Sequence, residues 1–186
     1  MKVLGISGSL RRDSHNTALL RAAAALLPPE VELELWEGLK EVPPYDADDD
    51  RWDEPRTGAL RSLAEAIEGS DVVVFSTPEY NHSIPGQLKN ALDWLSRPLA
   101  TSPLRNKPVA VVGASTGLFG AVWAQAELRK VLGAIGARVV DRELPVGLAD
   151  DAFTAEGRLA DGDLELVLAD LLAELLDEIR MAPVRA

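Results

Sequence analysis

The chain has 186 residues, 47% of them apolar and 26% charged, with a formal net charge of −11 and no cysteine. This is enough for one domain with a full core, and it excludes disulfides, a thiol nucleophile and a cysteine-ligated iron–sulfur cluster. The negative charge argues against a general role on nucleic acid or anionic membrane, both of which need basic surface, so any phosphate is expected to be bound locally.

"KVLGIS" (2–7) reads as a short buried strand, and "MKVLGISGS" is too poor in apolar residues for a secretory leader. No apolar run approaches the roughly 18 residues of a membrane span, so a cytoplasmic location is expected. "NTALLRAAAALL" (16–27) is helical and is stopped by Pro28 and Pro29. "VELELW" (31–36) alternates with period two, as a half-buried or edge strand does. In the polar stretch 41–55, Asp46, Asp48 and Asp50 match the first three positions of a calcium-binding EF-hand loop. Arg51 stands at its turn glycine and Thr57 at its final glutamate, however, so a solvated loop without metal is expected. "GALRSLAEAIEGS" (58–70) is helical, "DVVVFSTP" (71–78) is a buried strand, and "GQLKNALDWLSR" (86–97) is a helix ending before Pro98. "KPVAVVGAS" (107–115) gives a fourth strand, "FGAVWAQAELRKVLGAIG" (119–136) a helix and "ARVVDREL" (137–144) a fifth strand. In the closing amphipathic helix (164–180), Leu164, Leu166, Leu168, Leu171, Leu172, Leu175 and Leu176 form a broad apolar face for the sheet or a partner subunit.

Strands separated by helices predict parallel βαβ units and hence an α/β fold, a doubly wound five-stranded parallel sheet. The continuous apolar runs Val72 to Phe75 and Val109 to Val112 suit strands covered on both faces. In such sheets ligands sit beyond the carboxyl ends of the strands, and the three most distinctive loops, 7–17, 77–87 and 113–120, all lie at that edge.

The first loop opens a helix N-terminus and carries the hydroxyls of Ser7, Ser9, Ser14 and Thr17, with Arg11 or Arg12 as a fixed charge. Free N–H groups and the positive end of the dipole make this an anion cradle. The plainer alternative is that Ser14 or Asn16 only caps the helix. Neither GxxxxGK[ST] nor GxGxxG is present, so a monophosphate fits better than a nucleotide pyrophosphate. The second loop, "TPEYNHSIPGQ", is held by Pro78, Pro85 and Gly86, which suits a segment lying along a flat ligand and offering backbone hydrogen bonds. Tyr80 and His82 either pack against a ring or simply pack, and the Asn81-His82-Ser83 sequon means nothing without secretion. The third loop, "GASTGLFG", holds Gly113, Ser115 and Gly117 in a GxSxG arrangement, like a hydrolase nucleophile elbow. A serine hydrolase using Ser115 would need a histidine downstream of it, but His15 and His82 both precede it. Small residues here instead let backbone approach a ligand, with N–H groups pointing outward at the helix start.

Together "GSLRRDSHNTAL", "PEYNHSIPGQLKNALDWLSRP" and "GASTGLFGA", in this order and spacing, resemble the NAD(P)H-dependent FMN reductases of flavodoxin-like fold, which include quinone, chromate and azo-dye reductases. The resemblance implies strand order 2-1-3-4-5 and a single FMN-binding domain over 1–186. It implies that Ser9, Arg11, Ser14, Asn16 and Thr17 hold the FMN phosphate. Pro78, Glu79, Tyr80, Asn81 and Ser83 would lie along the isoalloxazine and ribityl chain, and Ser115 and Gly117 would approach the ring. No side chain is expected to be catalytic, because the flavin itself carries the hydride. The implied reaction is ping-pong, from NADPH or NADH through FMN to quinones and similar acceptors such as azo dyes, chromate or free flavin. A homodimer or homotetramer is implied, and the apolar bulk of Leu88, Leu92, Trp94 and Leu95 suggests that 86–97 meets a partner. Where some relatives carry an Arg and a Tyr of a tetramer contact, this chain has Trp123 and Ala126. A flavodoxin-like electron carrier or redox-controlled binding protein is the alternative reading.

Overall fold

Strand β3 (Val72–Ser76) is buried along its whole length, as a run of β-branched residues covered on both faces must be. It lies at the centre of the sheet in a computed structural model, which describes residues 1–49 and 57–181. Around it stand β1 (Lys2–Ser7), β2 (Glu32–Trp36), β4 (Pro108–Ala114) and β5 (Arg138–Val139) in the order β2-β1-β3-β4-β5, every pairing parallel. Ser7 is in register with Ser76, and Ser76 with Val112, so β1 and β3 finish level while β4 runs on to Ala114.

Side chains alternate across this sheet and so divide the core in two. Leu4, Ile6, Val73, Phe75, Val109 and Val111 pack under α2 (Gly58–Gly69), α3 (Gly86–Leu95) and α4 (Val122–Ile135). Val3, Val72, Val74, Ala110 and Val112 pack under α1 (His15–Leu26) and α5 (Gly162–Met181). The closing helix gives Leu168, Leu171, Leu172 and Leu175 to the sheet, and leaves Leu166 exposed.

Two expectations need correction. The fifth strand is not continuous over 137–144: β5 pairs with the start of β4, and a sixth strand, β6 (Pro145–Val146), pairs with its end. The buried Gln125 of α4 explains the break, since its Oε1 accepts the Leu144 N–H at 3.2 Å and its Nε2 donates to Gly120 O. Pro145 adds no donor of its own. The other correction concerns α3, where Leu88, Leu92, Trp94 and Leu95 are all buried in the chain's own core and leave no apolar excess for a partner. The polar stripe of this helix has a job that the sequence reading missed. Gln87 Nε2 donates to Leu39 O and Val42 O, Asn90 Nδ2 and the Trp94 indole N–H donate to Pro43 O, and Asn90 Oδ1 accepts the Tyr45 N–H. The segment 39–45 is thus pinned to α3. Asp50 of the acidic stretch lies outside the described residues.

Candidate functional site

Ser14 caps α1: its Oγ accepts the backbone N–H groups of Asn16 at 3.2 Å and Thr17 at 3.4 Å. Capping is therefore real, yet it does not exhaust the loop. The backbone N–H groups of Leu10, Arg12, Asp13 and His15 have no acceptor among the described residues, and the exposed Arg11 guanidinium has no partner among them. Donors at a helix start without acceptors of their own fit a phosphate. Asn16 is buried, and its side chain clamps the strand ends: Oδ1 accepts from Ser76 Oγ (2.9 Å) and Ala114 N–H (3.0 Å), while Nδ2 donates to Ala114 O (3.0 Å).

The second loop is a tight hairpin. Tyr80 and Ser83 exchange both backbone hydrogen bonds, at 3.0 and 3.1 Å, across Asn81 (φ 53°) and His82 (φ 59°). Two successive left-handed residues give the turn whose twist suits a hairpin, and asparagine tolerates the first position well. Glu79 Oε2 accepts from the N–H groups of both Trp123 and Ala124 at 3.1 Å, so its carboxylate serves the start of α4. The outward N–H groups expected at that helix start are consequently engaged within the chain. Ser83 Oγ donates to Glu127 Oε2, also on α4.

In the third loop, Ser115 N–H donates to Val146 O, and Ala149 N–H donates to Ser115 O, which seats the loop on the segment after β6. Ser115 Oγ accepts the Gly117 N–H at 3.2 Å, and neither histidine is bonded to it. His15 Nε2 instead faces Asp150 Oδ1 at 3.0 Å, and its ring stacks on Phe153. No hydrolase triad forms.

The three loops meet around one cleft of about 480 Å³, open solvent included. Ser9, Arg11, Ser14, Asn16, Pro78, Glu79, Tyr80 and Ser115 line it, while Thr17, Asn81, Ser83 and Gly117 lie off its wall. His15, Ala114 and Thr116 also line it and were not foreseen. The pairing of His15 with Asp150 spans 135 positions, so no local pattern announced it.

The profile of the NADPH-dependent FMN reductase family matches residues 1–151, through all three loops. The chain belongs to this family. It is an oxidoreductase working with FMN and NAD(P)H. It is 43% identical over 162 residues to an NAD(P)H-dependent FMN reductase of Pseudomonas aeruginosa, covering 87% of this chain and 85% of that one. It is 39% identical to a quinone reductase of Escherichia coli, covering 76% and 74%. Among solved structures it superposes on the flavoenzyme NAD(P)H:(acceptor) oxidoreductase of Paracoccus denitrificans with a TM-score of 0.82, at 34% identity and 97% coverage of both chains.

Proposed function

We propose that the cleft of this FMN reductase holds the FMN phosphate at the start of α1 and the isoalloxazine along Pro78 to Tyr80 and Ser115. The observation that carries this reading is the start of α1, where the unpartnered Arg11 side chain and the free His15 N–H share one cleft with those residues. Bound FMN supplies the hydride acceptor and donor. The chain's part is binding and orientation: Ser9, Ser14 and Arg11 face the phosphate end, and the unengaged N–H groups of Glu79 and Asn81 are available along the hairpin. Asn16 lines the cleft itself, and Thr17, Ser83 and Gly117 shape its walls from behind.

In this reading NADPH or NADH reduces the cofactor and leaves, and the acceptor then enters the same open face, a ping-pong order. Quinones are the preferred acceptors, supported by the likeness to the E. coli quinone reductase. Azo dyes, chromate and free flavin belong to the same class of small diffusible oxidants. The flavin-binding domain extends over 1–186 and acts in the cytoplasm, where NAD(P)H is at hand. A homodimer or homotetramer goes with this reading. Since α3 offers no surplus, the exposed Leu118, Phe119 and Trp123 beside the cleft are the better apolar surface for that contact.

The test is uptake of FMN by the cofactor-free protein, followed by fluorescence quenching. A charge-assisted phosphate contact is worth about 1.5–3 kcal/mol, so Arg11→Ala should weaken binding about ten- to hundredfold. Absence of quenching in the wild-type protein would overturn the proposal. An unchanged Kd in Arg11→Ala would place the phosphate elsewhere.

A further inference from the structure

We propose that Glu79 is a positioning residue whose carboxylate fastens the Tyr80–Ser83 hairpin to the start of α4 and so fixes the wall along which the isoalloxazine lies. The inference rests on the flavin reading of the cleft. Helix α4 begins after two left-handed residues, Gly120 (φ 56°) and Ala121 (φ 61°), and Ala121, at its cap position, has no side chain able to cap it. The first-turn N–H groups of a helix need acceptors, and these must come from elsewhere in the chain. Glu79 supplies one oxygen to two of them, Trp123 and Ala124.

The other oxygen, Oε1, lies 3.4 Å from His82 Nδ1, with the imidazole outermost: the Glu79 side chain is 12% exposed and that of His82 76%. A half-buried carboxylate that meets two N–H groups and the positive end of a helix dipole is held strongly. The far strand of the hairpin is tied to the same helix one turn later, where Ser83 Oγ donates to Glu127 at 2.5 Å. Both strands of the hairpin are thus anchored on α4, and the Tyr80–Ser83 pair closes its turn. Oε2 of Glu79 is engaged by two N–H groups of α4, so the side chain acts on the wall through the helix it fastens.

The test begins with amide exchange of the cofactor-free protein. Glu79→Ala should speed exchange at residues 80–84 and at the Trp123 and Ala124 amides, and leave β1, β3 and β4 protected. Its FMN Kd should rise about tenfold, the size expected when charge-assisted hydrogen bonds are lost, and the visible circular dichroism of the bound flavin should change. Glu79→Gln keeps an acceptor oxygen and should restore most of the affinity and the wild-type spectrum. If Glu79→Ala does not fold, Ser83→Ala reports on the second tie and should raise exchange over the same hairpin. Wild-type exchange together with a wild-type Kd and spectrum in Glu79→Ala would overturn the proposal. So would a Glu79→Gln protein as weak as Glu79→Ala with its amides fully protected, which would mark a direct charge contact with the ligand. Failure of the wild-type protein to take up FMN would instead refute the flavin reading, and the exchange experiment would still decide the clasp.

Discussion

Asn16→Ala should lower stability by about 3 kcal/mol, because it leaves three buried polar groups without partners, each of which costs about 1–3 kcal/mol when dry. The amide of Asn16 sits where α1, β3 and β4 converge, bonding to Ser76 Oγ and to both backbone groups of Ala114. Some of the loss will be recovered, since Asn16 and Ala114 line the cleft and water can reach them there. A domain of this size loses roughly 2–4 °C in Tm per kcal/mol, so a fall of about 6–12 °C by calorimetry is expected. FMN affinity should fall with it, because the clamp aligns the phosphate loop with the ends of β3 and β4. Asn16→Asp is no rescue: it keeps the acceptor oxygens, removes the donor to Ala114 O and buries a charge. A Tm within about 2 °C of wild type in Asn16→Ala would show that the clamp is dispensable.

An equally large effect is expected from Gly120→Ala. A Cβ there would lie 2.4 Å from Pro145 C and 2.6 Å from Val146 N, which are backbone atoms that cannot swing aside. The residue also has φ +56°, which costs a side-chain-bearing residue about 1–2 kcal/mol. Overpacking adds about 1–3 kcal/mol, so a loss of roughly 3 kcal/mol or more is expected. The contact is interlocked from both sides, since a Cβ on Gly147 would lie 2.3 Å from Leu118 O. Relief requires loop 115–120 to lift away from the segment after β6, taking Ser115 with it, so FMN binding should weaken as well. Gly133→Ala is the control: it lies within α4 with nothing within 4 Å of its Cβ position. It should stabilise by up to about 1 kcal/mol. Equal Tm values for Gly120→Ala and wild type would contradict the geometry of this crossing.

The repeating pattern of strand and helix was legible because periodicity and breakers are local properties. Val72 to Phe75 could hardly be anything but a covered strand, and Pro28 and Pro98 mark helix ends. The break between β5 and β6 was not legible, since it depends on Gln125 reaching across to Leu144 and nothing in "ARVVDREL" records that contact. The same limit applies at the site. The three loops announced themselves by composition, and the structure gathers them around one cleft. What individual side chains do there depends on partners far along the chain. Glu79 serves residues 44 and 45 positions away, and Asn16 one 98 positions away. The apolar residues of α3 misled in the opposite direction, because their number suggested a partner surface while the chain's own core consumes all of them. The turn at Asn81 and His82 is the one local signal that was overlooked, since asparagine at the first central position between two extended residues favours a tight hairpin.

The most direct measurement is anaerobic mixing of the FMN-loaded protein with NADPH, and separately with NADH, while the yellow colour is followed. The colour should bleach at about 1 s⁻¹ or faster with NADPH and return when a benzoquinone is added. NADH should do the same within about a hundredfold in efficiency, since an open face lacks the buried hydrogen-bonding test on which strict discrimination depends. Persistence of the colour with both nucleotides, in protein that holds FMN tightly, would contradict direct reduction at this cleft and leave an electron carrier that needs a protein donor.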